Sequence, residues 1–243
     1  MNTEKLKLLW AKAFGDSPEA IELFFDTAYS RQRCRYLEEN GVITAALYWM
    51  DAEYAGRKFA YLYGVATDPD HRGKGLCRKL MENTHNDLKK QGYAGAVLMP
   101  AEPGLRQMYA KMGYRECSAI SQFDCEAGEA VEVWPIDRAE YARLRRQYLP
   151  KGGLIQEGEN LTYLETYAQT YGGKDFVLAA VHGDGKLFGM ELLGNPAAAP
   201  GILGAMGYEK GTFRVPGEDI PFGMGILFRE DVIMPGYLGL AFD

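Results

Sequence analysis

Cysteine is scarce in this chain, histidine scarcer, and long apolar runs are absent. The four cysteines, Cys34, Cys77, Cys117 and Cys125, share no C-x-x-C spacing, which argues against both a structural zinc site and a small secreted disulfide scaffold. Of the three histidines, His71 reads as a packing or capping residue, while His85 and His182 read as solvated residues on a helix surface and in a turn. No segment approaches the roughly 18 apolar residues of a membrane span. Near the N-terminus lysines interleave with Leu6, Leu8 and Leu9, so the uninterrupted apolar core of a signal peptide is missing. Basic residues are outnumbered, 27 against 33 acidic ones, and the broad basic stripe of a nucleic-acid partner is lacking. The expectation is a soluble, cytoplasmic chain with no metal, no membrane and no nucleic-acid partner, as a monomer or homodimer.

An apolar content of 47% over 243 residues supports one large domain or two smaller ones. The period of Leu6, Leu9, Trp10 and Ala13 predicts a helix, and Ser17-Pro18 starts a second. Asn40-Gly41 between apolar runs predicts a hairpin, and Phe59 to Thr67 a further strand. Leu76, Leu80, Thr84 and Leu88 give the apolar face of a helix that Gly92 stops. A buried strand from Tyr93 to Met99 and a short helix from Leu105 to Met112 follow. Beyond a Glu126-Ala127-Gly128-Glu129 stretch, a strand to Ile136, a helix capped by Asp137, a helix over 160–170 and a hairpin at His182-Gly183-Asp184-Gly185 suggest a second α/β unit. Met206-Gly207-Tyr208 echoes Met112-Gly113-Tyr114, as a weak repeat would. The predicted division is 1–127 and 128–243.

The heptapeptide His71-Arg72-Gly73-Lys74-Gly75-Leu76-Cys77 carries the most information. It lies between a strand and a helix, and Arg72, Lys74, Arg78 and Lys79 gather around it in a chain of net charge −6. Glycines and a helix start present unpaired amides, so the segment is an anion-binding loop. Gly-x-Gly alone is a weak signal; the flanking strand, helix and cations give it meaning.

Val65 to Cys77, with Tyr109 to Tyr114 downstream, resembles the GCN5-related N-acetyltransferase (GNAT) superfamily over about the first 125 residues. The loop pattern falls on Arg72, Gly75 and Cys77, where Cys77 departs from the usual Gly or Ala. The resemblance implies an α/β acyl-coenzyme A-binding fold with a mixed, mostly antiparallel sheet flanked by helices. It implies acetyl-coenzyme A (acetyl-CoA) as donor, held by Val65, Ala66 and Thr67 along the pantetheine. Arg72, Gly73, Lys74, Gly75, Leu76, Cys77 and Arg78 would surround the pyrophosphate. The second unit makes the chain similar to tandem GNATs, including the enhanced intracellular survival family. No glycine-rich loop occurs there, so it would be a degenerate copy without a cofactor site.

Amide formation from a thioester needs a neutral amine, a polarised carbonyl and a proton for the departing thiolate. Tyr109 occupies the position of the general acid implied by the resemblance, although it also lies on the stripe of Leu105, Met108 and Met112 and could simply pack. Glu102 is the candidate base, with Glu53 and the terminal Asp243 behind it, each also readable as a solvated carboxylate. Cys77, at a helix start among cations, would have a lowered thiol pKa, yet no base partner stands near it for covalent transfer. Tyr48, Trp49, Tyr54, Tyr61 and Tyr63 could line an acceptor site or alternate into the core. The acceptor would be a small-molecule or peptide amine, which the acidic balance suits. Rival readings are an acyl-CoA-binding sensor without turnover and an aminoacyl transferase using charged tRNA.

Overall fold

A computed structural model describes residues 2–242. Two compact units interleave in sequence. One takes residues up to Arg115 with Gly158–Tyr163 and Met224–Met234, and the other takes Glu116–Glu157, Leu164–Gly223 and residues from Pro235 on. A single cut at 127/128 therefore does not describe the division.

The first unit starts with Asn2–Phe14 (α1), Pro18–Thr27 (α2), Cys34–Glu39 (β1), Val42–Tyr54 (β2) and Arg57–Thr67 (β3). Leu76–Lys90 (α3), Gly95–Leu98 (β4) and Pro103–Ala110 (α4) follow. Ser17 caps α2 by accepting the Ala20 amide at 3.2 Å, and Pro18 sits in the first turn, where a missing N–H costs nothing. Asn40 and Gly41 close the first hairpin with φ of 51° and 79°, the left-handed pair that a two-residue turn demands. β1, β2 and β3 run antiparallel, β4 lies parallel to β3, and residues 224–227 add a strand antiparallel to β4.

β2 is buried on both faces, so its aromatics do not alternate between core and solvent. Trp10 of α1 packs on Tyr48 at 5.3 Å, and Phe24 of α2 on Tyr63 at 5.3 Å. On the other face Trp49 donates Nε1–H to the Tyr93 hydroxyl at 3.0 Å. Tyr48, Trp49 and Tyr61 are thus core residues, and only Tyr54 and Tyr63 are partly exposed.

α3 buries the expected Leu76, Leu80, Thr84 and Leu88, and also His85, which lies one position round the same arc. The solvated role expected for His85 is therefore wrong: its Nε2 meets the Tyr114 hydroxyl at 2.7 Å. Burial, then the charge of Lys89, push its imidazole down to about 4.

The second unit uses Arg115–Glu126 (β5) from Glu116 onward, Trp134–Pro135 (β6), Arg138–Tyr148 (α5) and Ile155–Gln156 (β7). Glu159–Leu164 (α6) is assigned to the first unit through Tyr163. Gln169–Gly172 (β8), Phe176–Gly183 (β9), Lys186–Gly194 (β10), Ala199–Met206 (α7), Lys210–Pro216 (β11) and Ile220–Leu227 (β12) complete the chain. The helix expected over 160–170 is thus split. It stops at Leu164, and Gln169 and Thr170 pair with β9 instead. His182 is the last residue but one of β9, and although exposed it is held by the Tyr171 and Tyr208 hydroxyls at 2.8 and 2.7 Å.

The same backbone device occurs in both units. Ala46 pairs with Ala66 and Tyr48 with Tyr63, so β3 carries an extra residue opposite Leu47; β3 then pairs with β4 only over Phe59–Tyr61. Gly189 pairs with Ala180 and Glu191 with Ala179, so β10 bulges at Met190; β10 then pairs with β11 only over Leu187–Gly189. In the second unit the residue after the bulge, Glu191, is bound by Arg145 at 2.7 and 3.0 Å and by the Tyr141 and Tyr237 hydroxyls.

Two outcomes follow. Replacing Arg145 by Met leaves Glu191 buried without its cation and should cost about 3–5 kcal/mol in denaturant unfolding, with Arg145→Met/Glu191→Leu recovering most of that loss. Because His85 is held neutral in the folded chain and titrates normally when unfolded, its contribution is intact above about pH 6.5 and declines as pH falls toward 4. The expected total is on the order of 3 kcal/mol, and His85→Gln should flatten the stability profile across that window.

Candidate active site

The site begins where β3 leaves β4. Parallel pairing ends at Tyr61 and Val97, while β3 stays bonded to β2 up to Thr67. Gly64 makes the bulge possible: its φ is 57°, and a Cβ there would lie 2.8 Å from the Trp10 ring. Past the bulge, Val65 and Thr67 face a cavity of about 630 Å³. Ala66 points the other way, is buried, and pairs with Ala46.

Asp68 turns the chain. Its carboxylate accepts the Asp70 amide at 2.9 Å, its carbonyl accepts the His71 amide at 2.8 Å, and its own amide donates to Thr44 on β2 at 2.9 Å. The loop then passes through Gly73 and Gly75, with φ of 78° and 75°, and a Cβ at either would meet nothing within 4 Å. Backbone conformation, not crowding, selects these glycines. Gly75 stands at the start of α3 with no side-chain cap, and the first helical bond runs from the Lys79 amide to the Gly75 carbonyl at 3.1 Å. The amides of Leu76, Cys77 and Arg78 are therefore left for a ligand.

Arg72, Gly73, Gly75, Leu76, Cys77 and Arg78 all line the cavity, as does His71. Lys74 is exposed outside its lining. Among the described residues, none of Arg72, Lys74, Arg78 and Lys79 forms an ion pair with a carboxylate. Unpartnered cations around open amides suit a phosphate ester. The lowered thiol pKa expected for Cys77 is not found. Its side chain is partly enclosed in the cavity wall, and burial pushes the thiol up, so it is un-ionised at neutral pH.

α4 closes the other side. Glu102 precedes it without capping it, and its exposed side chain reaches the cavity. Tyr109 lines the same cavity although only 5% exposed. Its hydroxyl makes no hydrogen bond to another described residue. Burial, then Cys77, push its phenol well above the ordinary value, so it keeps its proton at neutral pH. Leu105, Met108 and Met112 of the same segment supply apolar wall, so packing and chemistry coexist at Tyr109. Glu53 does not line the cavity, and Asp243 lies outside the described residues.

Sequence reasoning missed the wall contributed by Ala13 and Phe14 at the end of α1. Phe14 is 47% exposed, yet it follows the same helical period as the core residues, so periodicity could not single it out. The described residues contain no group of three or more His, Cys, Asp or Glu side chains able to hold a metal ion. None of their helices is long and apolar enough to cross a membrane.

A Gly75→Ala exchange should destabilise the fold by about 1 kcal/mol, through left-handed backbone strain alone. Thermal unfolding checks it; a loss several times larger would mean that packing also selects this glycine.

No curated protein matches this sequence. Among solved structures, a GCN5-related N-acetyltransferase from Anabaena variabilis superposes with a TM-score of 0.73 at 15% identity, over 93% of this chain and 70% of that one. Eis1 from Mycobacterium abscessus gives 0.68 at 12% identity, over 90% of this chain and 64% of its own. A tandem GNAT protein from the clavulanic acid biosynthesis pathway gives 0.54 at 12% identity, over 93% and 94%. These likenesses establish the fold. Residues 2–117, just under half of the chain, match the acetyltransferase (GNAT) domain family, and the loop, bulge and cavity all fall within that segment.

Proposed function

We propose that the chain is an acetyl-CoA-dependent N-acetyltransferase acting on a primary amine of a small molecule or peptide. The observation that carries this reading is that one cavity of about 630 Å³ joins the open amides of the loop to the protonated hydroxyl of Tyr109. The residues present fit the donor. Backbone from Val65 to Thr67, free of β4, would pair with the pantetheine arm. The loop amides from Arg72 to Arg78, with their cations, would hold the pyrophosphate.

The amine nitrogen attacks the thioester carbonyl carbon directly, a C–N bond forms, and the C–S bond breaks. The departing thiolate takes its proton from Tyr109, which solvent later reprotonates. The amine loses a proton to Glu102, directly or through water. A covalent route through Cys77 is disfavoured by its raised thiol pKa. In the second unit the segment after β10 runs Asn195-Pro196-Ala197-Ala198-Ala199-Pro200 without a cation or a loop glycine, which supports one cofactor site per chain.

Thiol release from acetyl-CoA over an amine panel tests the function, and binding without release in any amine would favour a sensor. With an accepted amine, Tyr109→Phe should lower kcat on the order of 10²-fold and leave the acetyl-CoA KM nearly unchanged. Unaltered turnover would return Tyr109 to a packing role.

A further inference from the structure

The loop that gathers four cations is preceded by two aspartates, Asp68 and Asp70, separated from Arg72 by two to four residues. Carboxylates so close to an anion site should either repel the anion or capture the loop's cations for themselves. The loop's cations are not captured, and both carboxylates are held instead by a residue 56 positions away. Lys12, near the end of α1, places Nζ 2.8 and 3.0 Å from the two carboxylate oxygens of Asp68 and 2.6 Å from Asp70.

We propose that Lys12 is a positioning residue for donor binding: it neutralises Asp68 and Asp70, so that Arg72, Lys74, Arg78 and Lys79 remain available to a phosphate-bearing ligand. This rests on the coenzyme reading of the loop. The two aspartates are not equivalent. Asp68 is 4% exposed and organises the turn, binding the Asp70 amide at 2.9 Å and lying 3.5 Å from His71 Nδ1. Its charge cannot be removed without disturbing that turn, so the fold compensates it from α1. Asp70 has a largely exposed side chain and, among the described residues, Lys12 as its charged partner. Hydrogen bonds from Lys12 hold the Asp68 carboxyl below its usual range, and its contacts with the aspartates raise the lysine, so Asp68 and Lys12 are both ionised at neutral pH. The clamp also seats the last turn of α1, whose Ala13 and Phe14 form cavity wall.

An electrostatic role separates from a structural one by the charge of the probe. Coenzyme A carries the phosphates, whereas pantetheine has the same thiol arm and none. Titration of both into the full chain at low salt should show Lys12→Met weakening coenzyme A about tenfold while pantetheine stays within about twofold. Lys12→Arg should bind coenzyme A within about threefold of the parent, and raising the salt should shrink the Lys12→Met deficit. Adding Asp70→Asn to Lys12→Met should recover most of the loss, and Asp70→Asn alone should bind coenzyme A at least as tightly as the parent. An equal loss for both probes, or no loss for either, would overturn the proposal. Should Lys12→Met fail to fold, Asp70→Asn decides: weaker coenzyme A binding in that variant overturns the proposal as well. A parent chain that binds neither probe would instead overturn the coenzyme reading beneath it.

Discussion

β3 follows β4 for three residue pairs and then leaves it, and the site of the first unit depends on that departure. Gly95 allows the close pairing: a Cβ there would lie 2.6 Å from the Phe59 ring. Gly64 enforces the parting, since a β3 carrying one extra residue cannot keep register with β2 and stay straight. Had the parallel ladder continued to Thr67, its amides and carbonyls would be satisfied within the sheet. Because it stops, a strip of backbone faces a cavity, and the turn at Asp68 delivers the chain to the mouth of that cavity.

The second unit breaks its ladder in the same way and obtains something else. After the bulge at Met190 comes Glu191, buried and bound by Arg145, Tyr141 and Tyr237. Gly239 approaches so closely that a Cβ would lie 1.7 Å from the Glu191 carboxylate. A packed polar cluster stands where the first unit has an opening. Backbone topology is therefore common to both units, and the side chains after the bulge decide whether it becomes a site or a core.

Local signals in the sequence explain which features could be read from it. Ser17-Pro18, Asn40-Gly41, Asp137 and Asp184-Gly185 each act within a few residues, and each cap or turn forms where its chemistry predicts. The loop was legible for the same reason, since its glycines and cations are contiguous. Residues whose roles arise over long sequence distances were not. His85 lies beside the expected apolar stripe, and it is enclosed by Tyr114, 29 positions away, and by the Phe228 ring. Gln169 and Thr170 fall at the end of the expected helix, and pairing with β9 overrides it. The interleaving of the units is invisible to composition, because Gly158–Tyr163 and Met224–Met234 carry no boundary of their own.

The distribution of charge is the remaining argument that the first unit is built for a ligand rather than for stability. Elsewhere in that unit Lys5, Lys7 and Arg35 pair with Glu38, Glu22 and Asp87, contacts that add little to stability on a surface. The four loop cations forgo such partners at little expense to the fold, and the two aspartates just before them are occupied by Lys12. At the far side of the same cavity Leu105, Met108 and Met112 surround Tyr109, whose phenol is neutral. In the proposed reaction negative charge is permanent at the phosphates and transient at the sulfur. Fixed cations suit the first; a protonated phenol suits the second, because it can stabilise a thiolate as it forms without binding it once it has taken the proton.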